Sequence, residues 1–208
     1  PGTASGYHSM TFGWLTSELI LRVTGKSLGT FFREEVGDQH EIDFFIGLPE
    51  SEDHRVAELV PFELVSNRNS EQQVELTEAQ KSQANSAGTL NIHNTKAWRQ
   101  AEIPSANGQG SAGGLAKLYS LIVPEDNSLK LLKDDTVNQM TTMQIEGRDL
   151  VLAVQVRWGV GFILNKHKII YGPIEGAFGH SGYGGSCAFG DPENKIGVSY
   201  VMNRMLDN

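Results

Sequence analysis

The 208-residue sequence contains a single cysteine, Cys187, so it can form neither an internal disulfide nor a CxxC metal site. Basic residues are also few: 17 Lys and Arg stand against 25 Asp and Glu, which leaves a formal net charge of −8. A negative net charge repels phosphate backbones and anionic lipids, so we expect no nucleic-acid partner and no membrane partner. No apolar run approaches the ~18 residues that a membrane-spanning helix needs.

The first part of the sequence has the apolar periodicity of helices. Helices are predicted at residues 9–24, 27–37 and 111–123, and a further one at Asp134. In the first helix, Ser9 is the expected N-cap and Gly25 the stop. Its apolar face comprises Met10, Trp14, Leu15, Leu19 and Val23. Residues 63–109 are rich in Asn, Ser, Gln and Glu, which predicts a variable surface excursion.

The last part of the sequence has residue patterns typical of β-strands. Strands are predicted at residues 42–46, 154–160, 185–190 and 196–203. In residues 154–160 apolar and polar side chains alternate with period two, as in a half-buried strand. The polar cluster at residues 191–195 suits an antiparallel hairpin turn. Helices followed by an antiparallel sheet predict an α+β fold, an antiparallel sheet flanked by helices. The length fits one domain of ordinary size or at most two small ones.

Several motifs that carry chemistry elsewhere lack their usual context here. Residues 108–113 match the GxGxxG pattern of dinucleotide-binding loops and precede a predicted helix. That pattern requires a buried strand before it, whereas the preceding segment contains Pro104 and no apolar run. The glycines therefore indicate close packing and not a dinucleotide site. The six histidines form no HxH or HExxH pair, and we expect no metal and no cofactor. Ser186 lies in a segment similar to a nucleophile elbow, but a strand follows it where the elbow requires a helix.

Two segments place polar side chains where a ligand could reach them. Gly6-Tyr7-His8-Ser9 ends a loop just before an apolar helix. Residues 179–186 place His180 among glycines at the entrance to a strand, where the backbone can approach a ligand closely. Either segment alone is also consistent with a purely structural role, a packed tyrosine or a bend.

Taken in order, five blocks resemble the β-lactamase-related serine hydrolases, and more narrowly the family VIII carboxylesterase branch with the class C β-lactamase and penicillin-binding-protein fold. The blocks are GYHSMTFGWL, ELILRVTGKSLGTFFREEV, FFIGLP, NGQGSAGGLAKLYSLI and FGHSGYGGSCAFGDPENKIGVSYVMNRM. The resemblance is collinear from Pro1 to about Met205. It implies a β-lactamase/transpeptidase-like fold, a small-molecule ester or amide substrate and an acyl-enzyme.

The resemblance also implies roles for particular residues. Tyr7 and Ser9 match the first and third positions of the family's Y-x-N/S motif, whose tyrosine shuttles protons. His180, Ser181 and Gly182 match the third motif, K-T-G in β-lactamases and often H-x-G in the esterases. The backbone N–H of Tyr183 would then be one oxyanion-hole donor. Because histidine weakens the fixed positive charge of that lysine, the substrate is expected to be an uncharged ester or amide.

One motif of the family is absent from the sequence: no serine is followed by a lysine three positions later. The resemblance therefore implies that the chain is the C-terminal portion of one β-lactamase-like domain, incomplete at both ends, and that the S-x-x-K nucleophile is not in it. The chain alone is then expected to be inactive. Two hypotheses stay open: part of a working serine hydrolase, or an inactive pseudoenzyme that serves as a binding or assembly module. As protein partners, the missing N-terminal portion and a homo-oligomer are both open, and the sequence assigns no compartment.

Overall fold

A computed structural model describes residues 2–61, 77–84, 92–166, 168 and 170–206. The α-helices are α1 (Thr11–Thr24), α2 (Leu28–Phe32), α3 (Glu78–Ala84), α4 (Lys96–Gln100), α5 (Ala112–Ile122) and α6 (Asp134–Thr141). A π-helical turn, Arg33–Gly37, continues α2, and short 3-10 turns occur at Glu50–Arg55, Ile92–Asn94 and Asn127–Leu129. No helix within these ranges is long and apolar enough to cross a membrane.

The strands form a small ribbon and a main sheet. The ribbon pairs β1 (Phe44–Phe45) with β2 (Gln109–Gly110). The main sheet is antiparallel and has six strands in sequence order: β3 (Ile145–Arg148), β4 (Gln155–Trp158), β5 (Ile163–Leu164), β6 (Phe178–Ser181), β7 (Cys187–Asp191) and β8 (Ile196–Tyr200). The predicted α+β class with an antiparallel sheet flanked by helices is confirmed.

The core lies on both faces of this sheet. On one face, α5 packs against β7 and β8 and buries Tyr119, Ile122 and Val123 with Phe178 of β6. A second cluster comprises Val156, Ile163, Tyr171 and Ala177. Ile163 of the second cluster pairs with Gly179 and therefore lies on the same face as Gly179. Phe178 of the first cluster is the next residue along β6 and points to the opposite face, because successive residues of a strand alternate between faces. The two clusters therefore lie on opposite sides of the sheet.

The helix predicted at residues 9–24 begins two residues later than expected. Its N-cap position is Met10, which makes no side-chain capping bond, so the prediction of Ser9 as the cap is wrong. Its end is confirmed, since Gly25 adopts the left-handed C-cap conformation (φ 72°) that glycine adopts without steric cost. The predicted apolar face is largely exposed: Trp14 is 52%, Leu15 69% and Leu19 61% accessible.

The glycine-rich segment at residues 108–113 has the structural role that its context predicted. Gly110 pairs with Phe44 in the two-strand ribbon, and a Cβ atom on Gly108 or Gly110 would collide with the Phe44 ring. The Ser111 hydroxyl then caps α5 by accepting the Gly114 N–H at 3.1 Å. The segment therefore joins a tightly packed ribbon to a core helix.

The other elements differ from their predictions mainly in length. The strand predicted at 42–46 comprises only Phe44–Phe45, and the one predicted at 154–160 only Gln155–Trp158. Asp134 is the first residue of α6, whose cap position is Lys133. The hairpin turn at residues 191–195 is confirmed, with β7 and β8 on either side of it. Residues 63–76 and 85–91 of the predicted excursion lie outside the described residues.

Candidate active site

Three aromatic rings from distant parts of the sequence meet at one end of the main sheet. The Tyr7 and Trp158 rings are stacked, with centroids 6.1 Å apart and planes 8° from parallel. The His180 ring lies 5.8 Å from the Tyr7 ring and 5.8 Å from the Trp158 ring. The structure therefore brings together Tyr7 and His180, the central residues of the two segments singled out in the sequence.

Tyr7 lies in extended chain just before α1 and is held through its backbone. Its N–H donates to Oδ1 of Asp149 at 3.1 Å, a bond between residues 142 positions apart. In the opposite direction, the Leu150 N–H donates to the Ser5 carbonyl at 2.9 Å. These two bonds attach residues 5–7 to the turn between β3 and β4.

His180 is placed by the central part of the sheet. It lies within β6 and not at a strand entrance as predicted, and it pairs with Ala188 of β7. Because side chains alternate along a strand, His180 points to the same face as Phe178, which is 1% exposed in the core. The imidazole is thus carried on a rigid, well-packed strand.

Burial makes His180 a neutral group. Burial lowers its pKa below 6.5, and the bond to the Ser181 carbonyl opposes this in part. That bond is 2.7 Å long and starts at Nδ1; since a carbonyl oxygen can only accept, Nδ1 carries the proton. In the neutral imidazole, Nε2 then has a free electron pair and can accept a hydrogen bond, and the side chain carries no charge at neutral pH.

The neutral His180 should make folding stability depend on pH. Between pH 6.5 and its lower folded-state pKa, the unfolded chain binds a proton that the folded chain does not, so the free energy of unfolding should fall as the pH falls through this window. A His180→Gln variant has no such group and should show a smaller fall. Urea unfolding of both proteins at about pH 7.5 and about pH 5 measures the difference; equal pH dependence would contradict the buried, neutral imidazole.

Tyr7 is also shifted toward its neutral form. Burial raises the pKa of its hydroxyl above 10, and the negative charge of Asp149 raises it further. A phenol with such a pKa is protonated at neutral pH and is a poor base. As a proton acceptor, Tyr7 therefore requires a cation close to its hydroxyl, which the neutral His180 does not provide.

The residues that follow His180 form the tight turn of a hairpin. Ser181 pairs with Cys187, the Gly182 N–H donates to the Ser186 carbonyl at 2.6 Å, and the Gly185 N–H donates back to the Gly182 carbonyl at 3.2 Å. Gly184 has φ +88° at the third position of this turn, as in a type II turn, where glycine is favoured. Tyr183 is therefore at the corner of the turn, with its side chain 67% exposed.

Ser9 lies half-buried in the turn that leads into α1, two residues after Tyr7. It is therefore next to the ring cluster along the chain, and its part in the site stays a prediction. No group of three or more His, Cys, Asp and Glu side chains in the described ranges is close enough to hold a metal ion.

Sequence reasoning missed two residues of the site, Trp158 and Asp149. Trp158 was recognised only as an apolar position of a strand, and nothing near it in sequence indicates a contact with Tyr7. Asp149 has a local signal: its Oδ1 accepts the N–H groups of Val151 at 2.9 Å and Leu152 at 3.0 Å, the pattern of an Asx turn. That signal predicts a turn and cannot predict the distant Tyr7.

Comparison with known proteins identifies the family of the chain. The family described as Beta-lactamase matches residues 1–208. The chain is 32% identical to the esterase/beta-lactamase LipL of Mycobacterium tuberculosis (strain ATCC 25618 / H37Rv) over 97% of its own length and 49% of that protein. Among solved structures, a family VIII carboxylesterase is 41% identical, with a TM-score of 0.89 over all of this chain and 55% of the other. A penicillin-binding protein homologue from Caulobacter crescentus is 37% identical, with a TM-score of 0.80 over 98% of this chain and 54% of the other.

The chain thus spans about half the length of these proteins, and its similarity extends over nearly all of its own residues. The high TM-scores show that the fold of this chain is shared with the two solved structures. The chain belongs to the beta-lactamase family.

Proposed function

We propose that this chain is the C-terminal part of a serine hydrolase that cleaves ester or amide bonds through an acyl-enzyme. The observation that carries the proposal is the contact of the Tyr7 and His180 rings, 5.8 Å apart, in a chain whose relatives include a family VIII carboxylesterase. The nucleophile is a serine of an S-x-x-K motif outside these 208 residues. The chain alone is then inactive.

In this reaction Tyr7 moves a proton. The phenolate of Tyr7 takes the proton of the serine hydroxyl while the serine oxygen attacks the carbonyl carbon, and Tyr7 then gives that proton to the leaving alcohol. In the second half, Tyr7 takes a proton from the water that attacks the acyl carbon. As the bond between the serine oxygen and the acyl carbon breaks and the acid leaves, Tyr7 returns this proton to the serine oxygen. Because burial and Asp149 raise the pKa of Tyr7, the lysine of the S-x-x-K motif has to stabilise the phenolate.

The β6–β7 turn would face the acyl carbonyl of the substrate. The backbone N–H of Tyr183 is one oxyanion donor, with the N–H of the nucleophilic serine as the second. Ser181 and Gly182 align the substrate along the edge of β6. Short bonds within the turn, such as Gly182 N–H to the Ser186 carbonyl at 2.6 Å, support a rigid donor.

The neutral state of His180 supports a preference for uncharged substrates. A lysine at this position would attract the carboxylate of a β-lactam, whereas a neutral imidazole offers only hydrogen bonds from or to its nitrogen atoms. We therefore place uncharged esters first and amides second among the substrates of the complete protein.

The test uses the complete gene product. We expect it to hydrolyse short-chain p-nitrophenyl esters faster than a carboxylate-bearing β-lactam, and to react with a fluorophosphonate probe. Peptide mass spectrometry should locate the probe on a serine of an S-x-x-K peptide outside the 208 residues. A folded protein that neither cleaves the esters nor takes up the probe would contradict the proposal.

The second hypothesis is a pseudoenzyme that serves as a binding or assembly module, and the observation behind it is that β8 is an edge strand of the six-stranded sheet, where a partner strand can pair. Apolar side chains are exposed on α1 and on β8, where Ile196 is 49% and Tyr200 53% accessible, and such surfaces are typical of contacts between proteins. On this hypothesis the complete protein takes up no probe, and light scattering together with pulldowns should show an oligomer or a bound partner. A folded, partner-free monomer would exclude it.

A further inference from the structure

The hairpin formed by β3 and β4 contacts Tyr7 at two separate points. At its tip, Oδ1 of Asp149 accepts the Tyr7 N–H at 3.1 Å. At the other end of β4, the Trp158 ring stacks on the Tyr7 ring with planes 8° from parallel. One element thus holds both the main chain and the side chain of the residue that moves the proton in the proposed function.

The tip of this hairpin is itself fixed. Asp149 is 1% exposed, its N–H donates to the Val154 carbonyl at 3.0 Å, and its Oδ1 also accepts the N–H groups of Val151 and Leu152. The Leu150 N–H adds the bond to the Ser5 carbonyl. A single carboxylate oxygen therefore joins the turn of the hairpin to the segment that carries Tyr7.

We propose that Asp149 is a positioning residue for Tyr7: it fixes the main chain of Tyr7 on the β3–β4 hairpin, so that the ring lies against both Trp158 and His180 in the orientation needed for proton transfer. This inference rests on the proposed function, because it concerns the geometry of the same step. A displacement of about 1 Å of a group in proton transfer can lower a rate by about a hundredfold.

The carboxylate also acts on Tyr7 through its charge. Burial alone would raise the pKa of Asp149, but the N–H groups of Leu152 and Val151, the Ser5 side chain and the Tyr7 N–H lower the pKa, so the carboxylate is ionised. The titratable groups that face Tyr7 from the elements described are Asp149 of the hairpin and His180 of β6. Position and charge can therefore be separated by two substitutions at residue 149.

The chain offers a matched control in Asp191. Its Oδ1 also accepts two backbone N–H groups, of Glu193 at 3.0 Å and Asn194 at 3.1 Å, its carboxylate is buried (7% exposed), and its pKa is lowered in a turn that joins two strands. Asp191 is the last residue of β7. The site lies near the other end of this strand, where Cys187 pairs with Ser181, so Asp191 is away from the site. Removing it should destabilise a turn without moving Tyr7.

The experiment compares Asp149→Ala, Asp149→Asn and Asp191→Ala in the complete protein, with kcat and KM for a p-nitrophenyl ester measured across pH. We expect Asp149→Ala to lower kcat by about tenfold or more with little change in KM, and Asp191→Ala to leave kcat unchanged at a similar loss of stability. Asp149→Asn keeps the acceptor oxygen but removes the charge, so it should retain most of kcat and shift the acidic limb of the pH profile to lower pH.

An equal effect of Asp149→Ala and Asp191→Ala on kcat would overturn the inference. If Asp149→Ala does not fold, Asp149→Ser decides, because a serine hydroxyl can still accept an N–H within the turn but is too short to keep the bond to the Tyr7 N–H. A wild-type kcat in Asp149→Ser would overturn the inference. A Tyr7→Phe variant separates this outcome from failure of the proposed function, because the latter predicts loss of activity in Tyr7→Phe whatever the residue at position 149.

Discussion

Replacing Tyr7 with phenylalanine in the complete protein should lower the rate of acylation by about two to four orders of magnitude, the range typical of general acid–base groups. The substitution removes only the hydroxyl, and the phenylalanine ring can keep its stacking on Trp158 and its contact with His180. Single-turnover acylation by a p-nitrophenyl ester measures the step directly, and KM should change much less than kcat.

A matched control is Tyr200→Phe, which removes a hydroxyl from a β8 ring that is 53% exposed. Its acylation rate should stay at the wild-type value. If Tyr7→Phe also retains the wild-type rate, Tyr7 has no part in proton transfer, and the tyrosine of the Tyr7–His180 pair is a packing residue.

The largest expected effect on stability is that of Phe178→Ala. Phe178 is 1% exposed and makes an edge-to-face contact with Phe162, whose ring centroid lies 5.3 Å away. Removing a buried aromatic ring costs about 3–5 kcal/mol in lost burial and cavity formation. Because His180 lies two positions further along β6, the substitution should also loosen the strand that carries the imidazole.

Urea unfolding of the complete protein at constant pH measures this cost as a lower midpoint at unchanged slope. Phe178→Leu keeps most of the apolar volume, so its loss should be clearly smaller than that of Phe178→Ala. Equal, small losses for both variants would contradict the placement of Phe178 at the centre of the core.

Elements with local signals were predictable from the sequence. The helix predicted at residues 111–123 is α5 within one residue at each end, because Ser111 caps it and Pro124 ends its pattern, and both signals lie within the segment. The β7–β8 hairpin was equally clear from the polar residues between its strands. The sequence also placed Tyr7 just before a helix, which the structure confirms.

Contacts between distant residues were not predictable in this way. The Tyr7 N–H bond to Asp149 spans 142 positions, and no pattern around either residue encodes it. The strand β6 was overlooked because Gly179 interrupts its apolar run. The structure explains this glycine: its backbone lies so close to Phe189 that a side chain would not fit. The N-cap of α1 was misplaced because Ser9 fits the cap pattern by residue type, whereas the chain enters the helix one residue later, at Met10.

The bond between Tyr7 and Asp149 also has a consequence for the order of assembly. Residue 7 leaves the ribosome 142 residues before its partner, and at about 5–20 residues per second this interval is on the order of ten seconds. Closing a chain loop of this length costs entropy that local helices and hairpins do not face, so Tyr7 should take its place only after β3 and β4 have paired. The contacts of Tyr7 would thus be among the last features of the nascent chain to form.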